Sequence, residues 1–462
     1  MSQGALTPST QSDVRAAADD ERRSNGARPR RGATTAGDSS AGGAARVEGS
    51  DAEGDADRGL VARATWLDGV ARRAVLARLA QLVDGEFVLH EGGTVRRFGA
   101  PTEDGLTGHA HVHHPSFWRA IAFRGSIGSG EAFAAGAWSS PEPADVVRLF
   151  VRNHSALSGL ERGLALLTRP ALKAYHALRD NTRRGAAKNI SAHYDLSNAF
   201  FELFLDPSMT YSSAYFARED TPLEEAQYAK IDRLLAQLQL KRGDHLLEIG
   251  TGWGALACRA AATLGVRVTT TTLSREQHAL AVKRVHAAGL SSQVEVLLQD
   301  YRDLTPPPEG RFDAIVSVEM IEAVGARHYP AYFAAVDRLL APGGRFGMQA
   351  ITIRDQHFER ARREVDFIQR HIFPGSCIPS ITALSVAARD ASALRLVGMD
   401  DFGQHYARTL RLWRDALRLR RDDARQLGFD AAFLRLWDYY FSYCEGGFAE
   451  GHISVAHLTY SR

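Results

Sequence analysis

Between residues 247 and 254 the chain reads Leu-Glu-Ile-Gly-Thr-Gly-Trp-Gly, an acid followed by glycines at the alternate positions 250, 252 and 254. Glycine has no Cβ, so the backbone there can adopt left-handed turns and pass close to a ligand. The stretch lies between the apolar run His245-Leu246-Leu247 and a helical run from Ala255 to Thr263. That is the strand–turn–helix setting of a nucleotide-like cofactor site, although the spacing is not G-x-G-x-x-G.

The elements that would position this turn follow from periodicity. Strand candidates at His245–Ile249, Val266–Thr272, Val294–Leu298, Ala314–Val318 and Arg345–Ile351 alternate with helices starting near Gly254, Ser274 and His328. Such alternation predicts an α/β fold with a doubly wound, mostly parallel sheet and a cofactor at the carboxyl ends of its strands. Upstream, Trp66, Leu67, Val70, Leu76, Leu79 and Leu82/Val83 recur at helical spacing, Glu86 to His90 reads as a strand, and a Gly-rich stretch spans 125–131. We assign residues 59–155 to a small α+β amino-terminal domain, 156–189 to a basic helical connector and 190–462 to the main domain. Residues 1–58 contain almost no large apolar side chains and are expected to be a disordered tail.

Composition narrows the function classes. The 56 basic and 54 acidic residues leave a net charge of +2, so no overall field favours nucleic acid. Cys258, Cys377 and Cys444 are far apart and lack metal-ligand spacing, which suits a reducing cytoplasm. His109, His111 and His113 would share one strand face, but without a nearby carboxylate or cysteine they read as a polar face, and no metal is expected. No run of 18 apolar residues is present to span a membrane.

The glycine turn resembles the first motif of S-adenosylmethionine (SAM)-dependent methyltransferases, and residues 190–462 resemble the cyclopropane-fatty-acyl-phospholipid synthases, including the mycolic acid cyclopropane synthases. The resemblance runs through ordered motifs: His193-Tyr-Asp-Leu-Ser-Asn198, Met209-Thr-Tyr-Ser-Ser-Ala-Tyr-Phe216, Thr271-Thr-Leu-Ser-Arg-Glu-Gln277, Gln299-Asp-Tyr-Arg-Asp303, Val316-Ser-Val-Glu-Met-Ile-Glu322, Phe367 to Gly375 and Phe402-Gly-Gln-His-Tyr406. It implies a class I, Rossmann-like methyltransferase that binds SAM. Glu248, Gly250, Gly252 and Gly254 would form the cofactor turn. Thr272, Leu273, Ser274 and Gln277 would meet the ribose or methionine, Asp300 and Tyr301 the adenine, and Tyr211 and Ser212 would close over the methionine end. Thr269 and Thr270 are read as strand formers only.

The family acts on unsaturated acyl chains of phospholipids. Methylation of an alkene leaves a carbocation, and the resemblance implies a bound bicarbonate that removes a proton to close a cyclopropane ring. Its site would comprise Glu322, Tyr406 and the backbone of Ile351, with Ser213 in place of the family's usual cysteine, Gln349 in place of histidine, and Ala323 in place of the histidine after the glutamate. Gln cannot titrate near neutral pH, so a hydride shift giving a methylene- or methyl-branched chain is the alternative product. A soluble acceptor, or a catalytically inactive SAM- or lipid-binding protein, are rival readings. A phospholipid substrate implies a partner membrane and a cytoplasmic enzyme peripherally attached to the inner membrane. Arg411, Arg414, Arg418, Arg421 and Arg425, at spacings of three and four, offer a basic helix for that contact, with a solvated helix packed on the core as the other reading. Dimers occur in the family.

Overall fold

The computed structural model describes residues 65–154 and 197–462, all within one compact unit. The tail (1–58), the connector (156–189) and His193 to Leu196 of the first motif lie outside the described residues.

Thr65 starts the first helix, Trp66–Leu79, through a capping box in which its hydroxyl and backbone exchange hydrogen bonds with Asp68. A four-stranded sheet follows, built from β1 (Gly85–Glu91), β2 (Thr94–Ala100), β3 (Thr107–Val112) and β4 (Trp138–Ser139) in the order β2-β1-β3-β4. Gly92 and Gly93, both at positive φ, join β1 to β2 in a two-residue hairpin. The Gly-rich stretch is helical. It belongs to helix Ser116–Ala134, kinked at Gly125, whose φ is 52°. A Cβ on Gly130 would lie 2.4 Å from the Phe367 ring, so glycine here permits close helix packing.

The main sheet comprises β5 (His245–Ile249), β6 (Arg267–Thr272), β7 (Val294–Leu298), β8 (Phe312–Val318), β9 (Leu340–Ile353), β10 (Arg395–Asp401) and β11 (Ile453–Ser461). Their order is β10-β11-β9-β8-β5-β6-β7. The β9-β8-β5-β6-β7 portion is parallel, as expected for buried strands connected by helices. β10 and β11 add an antiparallel edge that periodicity did not suggest.

Helices Pro143–Arg152 and Ser116–Ala134 pack against helix Ala431–Ala449, so the amino-terminal sheet and the main sheet share apolar core. Helix Gly403–Leu419 carries Arg411, Arg414 and Arg418 of the arginine stripe and helix Arg421–Gln426 carries Arg421 and Arg425, and their partners favour the reading as helices packed on the core. Arg414 is buried and paired to Glu142 and Glu445, and Arg411 pairs with Glu445. Arg418 and Arg421 both bind Asp438, and Arg425 binds Asp422. Except for Arg425, whose acid lies on its own helix, these arginines are neutralised by acids from neighbouring elements and hold helices together. Among the described residues no helix is long and apolar enough to cross a membrane.

Candidate active site

Two cavities meet at the carboxyl ends of the parallel strands. The smaller, about 200 Å³, is formed around the turn after β5. Gly250, Gly252 and Gly254 have φ values of 101°, 52° and 90°, a region that other residues enter at a cost of about 1 kcal/mol or more. Tyr211, Ser212, Glu248, Gly250, Gly252, Thr272, Leu273, Gln277, Asp300 and Tyr301 all line this cavity. Gly254 and Ser274 do not. Gly254 is the N-cap of helix Ala255–Leu264, where a Cβ would press against Ala281 at 3.2 Å. Ser274 caps helix Arg275–Ala287, accepting a bond from Gln277 N at 3.3 Å. Both shape the wall from behind.

The sequence reading also missed two supports of this pocket. Thr270 is more than a strand former, because its hydroxyl donates to Glu248 Oε2 at 2.6 Å. Lys230, fully buried on helix Leu223–Gln237, donates to Ser212 Oγ at 2.6 Å and lines the same cavity. Burial lowers the Lys230 ammonium to about 8, against the pull of Glu319, Asp206 and Glu248. Burial likewise raises the Glu248 carboxyl to about 8, with Thr270 and Lys230 opposing. A lysine enclosed in a helix pattern looks like a surface residue in sequence, so only the fold reveals it. Asp300 is tied to Arg302 at 2.6 Å.

The larger cavity, about 530 Å³, runs between the two sheets and is lined mainly by apolar and aromatic side chains, among them Val75, Phe117, Val146, Ile368 and Phe448. That volume and lining suit an apolar chain. Tyr211, Glu319 and Ala323 belong to the walls of both cavities and mark their junction.

Of the five residues assigned to a bicarbonate pocket, the structure makes two groups. Ser213 N, Gln349 Nε2 and Tyr406 Oη converge on Glu319 at 2.9, 2.7 and 2.6 Å. Ile351 N instead donates to Glu322 Oε1 at 2.5 Å, while Glu322 Oε2 has no protein partner. The Ser213 and Gln349 side chains line neither cavity. Gln349 is fixed by His457, whose Nε2 lies 3.0 Å from its Oε1, and burial holds that imidazole down at about 3 and hence neutral. The donors implied for bicarbonate are therefore already used by a carboxylate of the chain itself, and a free anion does not fit among them. Glu319 directly follows β8 with φ 47°, a strained conformation that its backbone bond to Gln349 O helps impose. The position was visible within Val316–Glu322, but nothing in its spacing distinguished it from Glu322.

The two carboxyls differ in what supports a negative charge. Burial raises both, Glu322 to about 8 with the negative Glu319 as the second cause. Glu319 is opposed by Lys230, Tyr406, Ser213 and Gln349, whereas only backbone donors oppose the shift at Glu322. Three hydrogen bonds and a cation oppose the upward shift at Glu319, so a negative charge is better supported there than on Glu322. Tyr211 Oη contacts Tyr440 Oη at 3.0 Å beside this pair. His90, His109 and His111 stack on the amino-terminal sheet, and no group of three metal-ligating side chains occurs among the described residues.

The family model described as mycolic acid cyclopropane synthetase matches residues 181–458. Tuberculostearic acid methyltransferase UfaA1 of Mycobacterium tuberculosis is 43% identical over 360 residues, 76% of this chain and 82% of that protein. Cyclopropane-fatty-acyl-phospholipid synthase of Escherichia coli is 34% identical over 354 residues, 76% of this chain and 87% of that protein. The crystal structure of mycolic acid cyclopropane synthase CmaA1 complexed with SAH and CTAB has a TM-score of 0.55 and 35% identity, covering 60% of this chain and 98% of its own. The fold is that of class I SAM-dependent methyltransferases, SAM is the cofactor, and the turn residues and about 200 Å³ of space after β5 fit it.

Proposed function

Because this chain belongs to the mycolic acid cyclopropane synthetase family of SAM-dependent, lipid-methylating enzymes, we propose that it methylates the double bond of an unsaturated acyl chain in a membrane phospholipid, with Glu319 as the base that completes the reaction. The observation that carries this reading is the Glu319 carboxylate at the wall shared by the cofactor pocket and the apolar cavity.

SAM, when bound, supplies an electrophilic methyl group. Ser212, Glu248, Gln277 and Asp300 would hold it on one side of Glu319, and the apolar cavity would hold the acyl chain on the other. Proximity and exclusion of water then favour reaction of an otherwise weak alkene nucleophile. The methylated chain carries a cation on the carbon next to the new branch. Hydride shift from the branch carbon moves the cation there, and Glu319 takes a proton from the new methyl group. The electrons of that C–H bond form an exocyclic double bond, giving a methylene-branched chain and a neutral Glu319. Glu322, holding its own proton, keeps a second negative charge out of the pocket. Branching is favoured over ring closure because the base is tethered by Tyr406, Gln349 and Ser213 rather than free to follow the cation. The relative named for tuberculostearic acid is also more similar than the cyclopropane synthase, 43% against 34%.

The test is mass spectrometry and proton NMR of dioleoylphosphatidylglycerol vesicles incubated with the full chain and methyl-labelled SAM. A labelled gain of one CH₂ that retains an exocyclic methylene supports the proposal. A saturated ring would keep the methyl transfer and overturn the branching. No label in lipid would refute the acyl reading and favour a soluble acceptor or an inactive binding protein.

A further inference from the structure

The larger cavity changes character along its length, and helix Ala431–Ala449, which follows its wall, sets the order of its parts. Just past the carboxyl end of this helix, the His452 ring lies 5.1 Å from that of His357. With Arg360 and Glu364, these half-buried side chains make up a polar end of the lining. In the last turn of the helix, the Phe448 ring lies 4.4 Å from that of Tyr406, whose hydroxyl holds Glu319. Tyr439, nine residues earlier and about 13 Å along the axis, has its ring 6.2 Å from Trp138. Trp138 in turn lies 5.9 Å from Phe117. The order is therefore polar end, Glu319, then the interior of the amino-terminal sheet and its helices.

In that interior the cavity is walled by Val75 and Leu79 of the first helix, Phe87 of β1, Ala110 of β3 and Phe117. All five are apolar and at most 4% exposed, so this end is closed. The strand register explains the room inside it. Phe87 pairs with Gly108 and Leu89 with Ala110, so these four share one face, while His90 stacks on His111 on the other. A Cβ at Gly108 would lie 3.2 Å from Val146 Cα, so helix Pro143–Arg152 packs down on the shared face there. Two residues on, the small Ala110 side chain leaves space that a larger residue would fill. A closed apolar space offers water no partners, and hydrocarbon is its favoured occupant.

We propose that this closed end receives the methyl end of the acyl chain, so that a double bond is selected by its distance from the methyl end and not from the head group. A lipid leaves its head group on the polar side, so the hydrocarbon passes Glu319 and stops among Phe87, Ala110 and Phe117. Phe87 and Ala110 then set how many carbons fit beyond Glu319, and with that number which carbons face it. They are specificity-determining residues that touch neither the cofactor pocket nor the reacting carbons.

This inference rests on the reading of the cavity as an acyl site, and the two fail in different ways. Initial rates of label transfer from SAM by the full chain are measured on vesicles of dipalmitoleoyl-, dioleoyl- and di-cis-vaccenoyl-phosphatidylglycerol. Palmitoleoyl and cis-vaccenoyl chains share the distance of the double bond from the methyl end, whereas palmitoleoyl and oleoyl chains share its distance from the head group. The first pair should react within about three-fold of each other and differ from oleoyl by at least about ten-fold, the size of a methylene misfit in an apolar pocket. Ala110→Leu shortens the closed end and should raise the cis-vaccenoyl-to-oleoyl rate ratio by about ten-fold, with SAM affinity unchanged. Phe87→Leu lengthens it and should lower that ratio, an independent reading if the first variant folds poorly. Palmitoleoyl pairing with oleoyl overturns the inference and leaves the acyl reading standing. So do three equal rates, or a ratio that neither variant moves while SAM affinity is retained. No label in any of the three lipids refutes the acyl reading and this inference with it.

Discussion

Replacing Glu319 by glutamine removes a base while keeping its shape. The amide oxygen can still accept from Ser213 N and Gln349 Nε2, at 2.9 and 2.7 Å in the parent, and the amide nitrogen can donate to Tyr406 Oη after that hydroxyl turns. The fold should therefore change by only about 1 kcal/mol, less than the cost of an unsatisfied buried group. A positioned general base contributes about 10²–10⁴ in rate, or about 3–5 kcal/mol of barrier. Turnover of Glu319→Gln on dioleoylphosphatidylglycerol vesicles, followed by label transfer, should fall by that factor while SAM affinity is retained. Buffer stripped of bicarbonate should leave wild-type turnover unchanged. Glu319→Gly should relieve the strain of φ 47° and expose the three donors, so added bicarbonate should partly restore its turnover. Wild-type activity that requires bicarbonate, or a glutamine variant within ten-fold of wild type, would refute the assignment of the base.

Other perturbations follow from the same structure. Lys230→Met should weaken SAM binding through loss of the Ser212 contact. Because Lys230 lowers the Glu319 carboxyl, its removal should also move the acid limb of the kcat profile to higher pH. Glu322 is raised from 4.5 to about 8, so the folded state holds a proton there that the unfolded chain releases. Its contribution to stability is intact below pH 4.5 and is lost progressively up to pH 8, and denaturation midpoints of Glu322→Gln should show a weaker decline over that window. Arg414→Leu leaves Glu445, which is 2% exposed, with Arg411 as its remaining cation, and should cost about 1–3 kcal/mol in denaturant titrations. Its binding to phosphatidylglycerol vesicles, measured by sedimentation of the protein that remains folded, should match wild type if the arginine stripe serves packing.

The parts legible in sequence are those set by local chemistry. A parallel strand buried on both faces must be apolar or β-branched along its length, and a sharp turn at a cofactor must be glycine. Strands β5 to β8 and the turn at Gly250 to Gly254 were therefore readable within a residue or two. Less readable were β10 and β11, because β11 pairs antiparallel with β9 and with β10 and so joins segments far apart in the chain. The helical Gly-rich stretch was also obscure, because Phe367, over 200 residues away, explains its small residues.

The candidate site divides on the same principle. Sequence motifs alone determined the cofactor, the methyltransferase class and ten of the pocket-lining positions, since these depend on residue type and spacing along one strand–turn–helix unit. Tertiary structure alone decided which of two glutamates three residues apart receives Tyr406, Gln349 and Ser213, because a left-handed step at 319 sends the two side chains to different partners. It also decided that Arg411, Arg414 and Arg418 of helix Gly403–Leu419 are paired to acids, with Arg414 out of solvent, and that Lys230 is enclosed beside Glu248 and Glu319. Charge in a sequence has a sign and a position, but its energy depends on what surrounds it in space, and only the fold supplies those surroundings.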